Sequence, residues 1–186
     1  MTELRTARVL LRHWWDSDLD AWAEMNADPQ VMGHFPSTLN REEAQATAER
    51  IPAHLDETGW GLWALEVPGR IDFAGFVGLA EPTFEAHFTP AIEVGWRLSR
   101  DAWGHGYASA GARLAVAYAY EELGWDEVVS FTAEGNVRSR AVMERIGMSR
   151  DPRDDFDHPR LEPGSRLRCH VLYRLSRTGW QASLPA

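Results

Sequence analysis

The chain has no lysine: all 19 of its basic residues are arginine. Codon bias in the source genome is the bland account, and its consequence is that no lysine side chain is available for modification. There is one cysteine, Cys169, so no internal disulfide can form, which fits a reducing, cytoplasmic setting. No apolar run approaches the roughly 20 residues that span a bilayer, and residues 1–5 lack the basic-then-apolar layout of a signal peptide. Neither internal repeats nor His/Cys/acid spacings of a metal site are present, so no metal is expected. Positive charge is also scarce, with 28 Asp and Glu against 19 arginines and a net charge of −9. A general nucleic-acid binder needs a basic footprint to displace counterions, so neither nucleic acid nor membrane is an expected partner. An acidic surface suits cationic partners such as amines, although solubility alone accounts for it.

What remains is ordinary globular material, 186 residues with 44% hydrophobic and 25% charged. That is enough for one domain over 1–186 and too little for two ordinary ones. Nine tryptophans are many for this length and belong mostly to the core. An apolar run at 9–14 reads as a first strand. Asp16, Ser17 and Asp18 offer N-cap oxygens to a helix ending near Asn26. Asn40 followed by Glu43 resembles a capping box opening a helix over 41–57, which Pro52 is expected to kink or shorten.

Strands are expected at 61–67, 73–80, 91–98 and 127–133, with a turn at Pro68-Gly69. Helices are expected at 107–123, stopped by Gly124, and at 136–146. A polar loop over 150–166 then precedes a last strand at 168–175. Strands in succession followed by β-α-β-α indicate a mixed α/β sheet rather than a doubly wound nucleotide fold.

The stretch from Glu93 to Ser109 carries most of the chemistry. A strand runs into a turn holding Gly104 and Gly106, which opens directly into a helix. Glycine permits unusual dihedrals and close approach of a ligand, and the unpaired amides at a helix start favour an anion such as pyrophosphate. A plain tight turn would show the same two glycines. The Gly-Lys-Ser/Thr ending of a P-loop is missing, as is the third glycine of a dinucleotide fingerprint.

Together with Asn136, Ser139 and the Gly147-Met148 step about 30 residues on, this stretch resembles the two acetyl-CoA signatures of the GNAT superfamily of N-acetyltransferases. Residues 5–12, 155–159 and 170–173 are similar to its RimJ/RimL-like branch. The resemblance implies a GNAT fold: an α/β domain with a central mixed, mostly antiparallel, twisted sheet, splayed at the cofactor site and flanked by about four helices. It also implies acetyl-CoA as cofactor, CoA as product, and transfer to a primary amine on a peptide N-terminus or a small molecule. A homodimer is compatible with it. So is an alternative, a non-catalytic acyl-CoA sensor.

Carried over residue by residue, Val94, Trp96 and Leu98 would meet pantetheine through backbone groups. Trp103, Gly104, His105, Gly106, Tyr107 and Ala108 would meet the pyrophosphate. Asn136 would bind the cofactor arm, and Ser139 would lie near the thiol. Arg100 or Arg140 could add charge near phosphate or sit solvated on the surface. The family's Gln/Arg before the first motif glycine is Asp101 here, which is expected to point away or cap the turn, and Ala110 replaces a frequent glutamate.

An amine nucleophile needs a base, for which Glu93 is the first candidate and Glu134 a rival. On alternation alone, Glu93 could equally face solvent. Ser139 is the candidate acid, with a helix-surface serine as the plain alternative and Tyr107 and Tyr173 as substitutes. Cys169 is expected to be buried, and His158 and His170 structural. Residues 34–35, 84–88 and 154–158 are candidates for the acceptor side, with Asp154, Asp155 and Asp157 able to meet a cationic amine or to form a solvated charge run.

Overall fold

In the computed structural model the described residues are 2–183; Met1 and residues 184–186, the ends of the expected domain, lie outside them. The chain forms two compact units, residues 2–79 with Gly95–Ala115, and Ala80–Val94 with residues 116–183.

The first unit begins with β1 (Leu4–Arg5) and β2 (Leu10–Arg12), followed by α1 (Asp18–Ala27), α2 (Arg41–Thr58), β3 (Leu62–Val67) and β4 (Ile71–Ala80). These strands form an antiparallel series with Leu4 opposite Leu11, Leu11 opposite Leu65 and Leu65 opposite Gly75. Part of β5 (Glu93–Leu98) follows β4 in strand order. A Cβ on Gly75 would lie 2.1 Å from the Arg97 carbonyl oxygen, so a glycine is needed where the backbones approach this closely. The unit closes with the first half of α3 (Tyr107–Glu121).

Helix α2 starts as expected: Asn40 Oδ1 accepts the Glu43 N–H at 2.9 Å, and Glu43 Oε2 accepts the Asn40 N–H at 2.8 Å. Pro52 does not shorten it. Ala44, Ala48 and Leu55 keep one stripe buried on both sides of the proline, and the helix runs to Thr58 before Gly59 turns left-handed. Helix α1 is capped differently from the expectation. Ser17 makes no side-chain cap, and the Asp18 carboxylate instead accepts the Trp15 N–H at 2.8 Å.

Asp18 does so because it belongs to a buried ion cluster. Arg12 is wholly buried, and all five of its guanidinium N–H groups are used. Nε donates to Glu66 at 2.8 Å, Nη1 to Asp18 and the His13 carbonyl, and Nη2 to Asp18 and the Asp72 carbonyl. The Trp15 ring covers the guanidinium at 3.6 Å.

The second unit holds the start of β5, β6 (Glu127–Ala133), α4 (Val137–Arg145), β7 (Ser149–Arg150), β8 (Phe156–Asp157), β9 (Cys169–Ser176) and α5 (Arg177–Ser183). Its strand order is β5-β6-β9-β7, with β8 also on β9. β6 and β9 run antiparallel from Glu127 opposite Ser176 to Ala133 opposite His170. β5 pairs with β6 in parallel, at Glu93 opposite Val129. The result is the mixed, mostly antiparallel α/β architecture expected.

Two expectations are corrected, and one short element is added. The 150–166 segment is not a featureless loop; it carries the end of β7, a 3-10 turn at Pro152–Asp154, and β8. Five α-helices are present among the described residues, in keeping with the four or so expected, and α5 is the one that the periodicity does not reveal. It has only about two turns of periodicity to read, yet Ser176 Oγ accepts the Gly179 N–H at 3.1 Å and Trp180 packs against Tyr120 at 5.3 Å. Cys169 is exposed, not buried, because it stands at the very start of β9, where the buried run begins with His170.

Replacing Arg12 with methionine leaves Asp18 and Glu66 without their cation. Urea unfolding is expected to show a loss of about 3–5 kcal/mol, with partial recovery in Arg12→Met/Asp18→Leu.

Candidate active site

The β5–α3 turn, in the first unit, is built from backbone. A 3-10 turn at Arg100–Ala102 follows β5, and the Trp103 indole N–H folds back to the Leu98 carbonyl at 2.9 Å. Gly104 and Gly106 then take left-handed φ values of 78° and 76°. The first helical bond of α3 is from the Ala110 N–H to Gly106 O at 3.0 Å. Between these points the amides of Gly104, His105, Gly106, Tyr107 and Ala108 have no acceptor of ordinary hydrogen-bond geometry among the described residues. Any helix leaves its first amides unpaired; here the two glycines extend that run through the turn.

The space outside this turn is open. A Cβ on Gly104 would meet nothing within 4 Å, and one on Gly106 would come 3.7 Å from Arg8 Nη1. Arg8 donates to the His105 carbonyl and stands 5.6 Å from the Tyr107 ring centroid, so it is the cation fixed against the turn. Sequence reasoning missed it, because its tie to His105 spans 97 residues. Arg100 is taken up by Asp28, Nε to Oδ2 at 2.6 Å. Asp101 is exposed and caps nothing. Donors, open room and a bordering cation together fit a diphosphate.

Other candidate residues sit on or beside β6, in the second unit. Asn136 caps α4: its Oδ1 accepts the Ser139 N–H at 3.2 Å, and its Nδ2 donates to Thr132 Oγ1 at 2.9 Å and Ser139 Oγ at 3.1 Å. Its side chain is therefore committed within the protein, and the Ser139 hydroxyl proton is left over. Arg140 reaches the Glu134 carbonyl at 3.1 Å and the Tyr173 hydroxyl at 3.5 Å, which makes it a tie between α4 and its neighbours. The Tyr173 hydroxyl donates to Glu144 at 2.8 Å, and the Tyr107 hydroxyl accepts from Arg70 at 3.4 Å. Val94 and Leu98 are buried and Trp96 half-buried.

Glu93 is paired with β6 at Val129, three positions before the Thr132 that holds Asn136. Its carboxyl has no side-chain partner among the described residues, and burial pushes its pKa up to about 8. Glu134, by contrast, is exposed. A carboxyl that ionises close to neutrality is suited to accepting a proton from an amine.

The acidic run near the C-terminus is neutralised internally. Asp154 pairs with Arg174 at 2.7 Å, Asp157 with Arg168 at 2.9 Å, and Asp155 with Arg150. Phe84, Phe88, Phe131 and Phe156 pack edge and face with His158 and His170, whose ring centroids are 4.9 Å apart. Burial lowers both imidazole pKa values, as expected of structural histidines.

The acetyltransferase (GNAT) domain model matches residues 8–149, so the chain belongs to that family and is an N-acetyltransferase. It is 33% identical over 188 residues to the FsC-acetyl coenzyme A-N(2)-transacetylase of Aspergillus fumigatus, covering 95% of this chain and 77% of that one. An acetyltransferase structure from Agrobacterium tumefaciens is 25% identical with a TM-score of 0.74, covering 95% of each chain. Mycobacterium smegmatis RimJ, solved with CoA-disulfide, shares the fold at TM-score 0.72 and 18% identity, covering 95% of this chain and 87% of that one. Among the described residues no helix is long and apolar enough to cross a membrane.

Glu93 generates a pH signature. Unfolded, such a carboxyl ionises near 4.5; folded, near 8. The folded state therefore holds the extra proton across that window, and stability falls as pH rises through it. Glu93→Gln is expected to flatten this decline, measured by urea unfolding at a series of pH values.

Proposed function

We propose that the chain transfers the acetyl group of acetyl-CoA to a primary amine by direct attack, as a single cytoplasmic domain of the RimJ/RimL-like branch. The observation that carries this reading is the run of five unpartnered amides across Gly104 and Gly106, open on its outer side and bordered by Arg8. The family match spans residues of both units, and β5 and α3 each contribute to both, which favours one functional domain.

Acetyl-CoA, when bound, supplies the activated acetyl group. Amides 104–108 and Arg8 would hold its diphosphate, and the β5 backbone at Val94, Trp96 and Leu98 would hold its arm. Because both Asn136 Nδ2 protons are taken by Thr132 and Ser139, its contribution as a donor is to orient Ser139. Ser139 retains a proton to give to the leaving sulfur. Glu93 takes the proton from the attacking amine, ionising readily enough near neutral pH to do so. Tyr173 is a weaker candidate acid, because its proton is held by Glu144.

For the acceptor, the relative named an N(2)-transacetylase supports a nitrogen nucleophile, which fits a small-molecule amine and a peptide N-terminus alike. The internal pairing of Asp154, Asp155 and Asp157 speaks against that acidic run as the amine's docking point.

Coenzyme A release with a panel of primary amines is the direct test. Binding of acetyl-CoA without turnover on a broad panel would favour the sensor reading instead. Gly104→Glu puts a negative side chain on a left-handed residue at the diphosphate turn, and is expected to weaken acetyl-CoA by tenfold or more, about 1.4 kcal/mol. Unchanged affinity would displace the phosphate site from this turn. Glu93→Gln is expected to lower kcat by roughly 10²-fold or more while leaving acetyl-CoA binding intact.

A further inference from the structure

Arg97 lacks what the wholly buried Arg12 has. Arg12 is matched with Asp18 and Glu66, and Arg41, Arg100, Arg150 and Arg174 also pair with acids, while Arg8 and Arg140 bond backbone carbonyls. Arg97 has no carboxylate partner among the described residues, in a chain with 28 acids to 19 bases. It is also deeply desolvated, enough to bring its pKa down to about 10, so it stays charged at neutral pH.

Its surroundings form a cage with one polar wall. The guanidinium carbon lies 4.1 Å from the Phe35 ring centroid and 5.6 Å from those of Trp22 and Phe76. Nη1 donates to Asn26 Oδ1, while Nε is buried without an acceptor. Asn26 cannot turn to offer more, because its Nδ2 is bonded to the Trp22 carbonyl at 2.8 Å. Of the guanidinium's five donors, one is satisfied by protein. Phe35 is 37% exposed, so one wall of the cage lies at the surface.

We propose that the Arg97 cage binds a carboxylate carried by the acceptor molecule, making it a specificity site for amines that also bear an acid group. This rests on the amine-acetyltransferase reading above. A carboxylate presents two oxygens in the plane and spacing of the guanidinium fork, cancels an otherwise uncompensated half-buried charge, and leaves its carbon skeleton against the exposed ring of Phe35. A neutral or purely cationic amine would leave the fork unpaired, at a loss in affinity.

The test uses benzoate, its uncharged counterpart benzamide, and inorganic phosphate, titrated into the full chain and followed by calorimetry and tryptophan fluorescence. Saturable benzoate binding, at least tenfold tighter than benzamide or phosphate and at least tenfold weaker in Arg97→Met, is the expected result. Asn26→Asp supplies a carboxylate from within, and is expected to abolish benzoate binding while the protein stays folded. Benzoate that binds no better than benzamide, phosphate that binds as well, or benzoate affinity retained in both variants would overturn the proposal. None of these titrations involves acetyl-CoA, so their outcome is separate from whether the chain releases CoA with any amine. With turnover established, L-phenylalanine is expected to have a lower KM than L-phenylalaninamide in the wild type, and Arg97→Met to erase that difference.

Discussion

The Arg12 cluster is the constraint on which the first unit depends. A guanidinium with no exposure is tolerable only if every N–H is bonded and its charge is balanced; Asp18, Glu66 and two backbone carbonyls do both. The same contacts fix relationships among elements far apart in sequence. Glu66 sets β3 beside β2, Asp18 sets the first turn of α1, and Asp72 sets the start of β4. Misplacing any one of them would leave a buried charge or donor unmatched, so the cluster selects one arrangement from the many that hydrophobic burial alone would accept. Trp14, packed on Trp22 and Phe73, then fills the space this arrangement leaves.

Arg12 and Arg97 show two uses of the same side chain. One is saturated and silent toward any ligand. The other is held by aromatic faces and a single amide, which position it without quenching it. Glu93 follows the second pattern: burial without a partner raises the free energy of its ionised form and moves its proton equilibrium to where an amine's proton can be exchanged. Groups left unsatisfied in a well-satisfied protein are costly to fold, and their placement along β5 concentrates that cost on one strand.

The parts legible in sequence were those whose cause is local. The capping box of α2 needs residues three apart, and the left-handed glycines before α3 need only their own missing side chains. The β5–turn–α3 signature is a backbone device, so it can be read even where Asp101 replaces the usual residue, and the Asn136 side-chain cap needs only a partner three residues on. What escaped reading depends on partners distant in the chain. Arg8 finds His105, Arg12 finds Glu66, and Arg97 finds Phe35 and Asn26 only once strands are in register. The proline-bearing segment 150–166 looked like a solvated loop because its acids seemed free. In the fold Arg150, Arg168 and Arg174 neutralise them and hold β7 and β8 on β9. Cys169 was misjudged for the opposite reason: alternation describes the middle of a strand, and this residue is at its end.

That exposed thiol has a practical meaning. The chain holds a single cysteine, at the head of the strand shared by β6, β7 and β8, and burial and neighbouring acids keep its sulfur protonated rather than reactive. Exposure still lets a maleimide dye or spin label attach at one known point of the second unit without any engineering, more slowly than at an ordinary thiol and faster as pH rises.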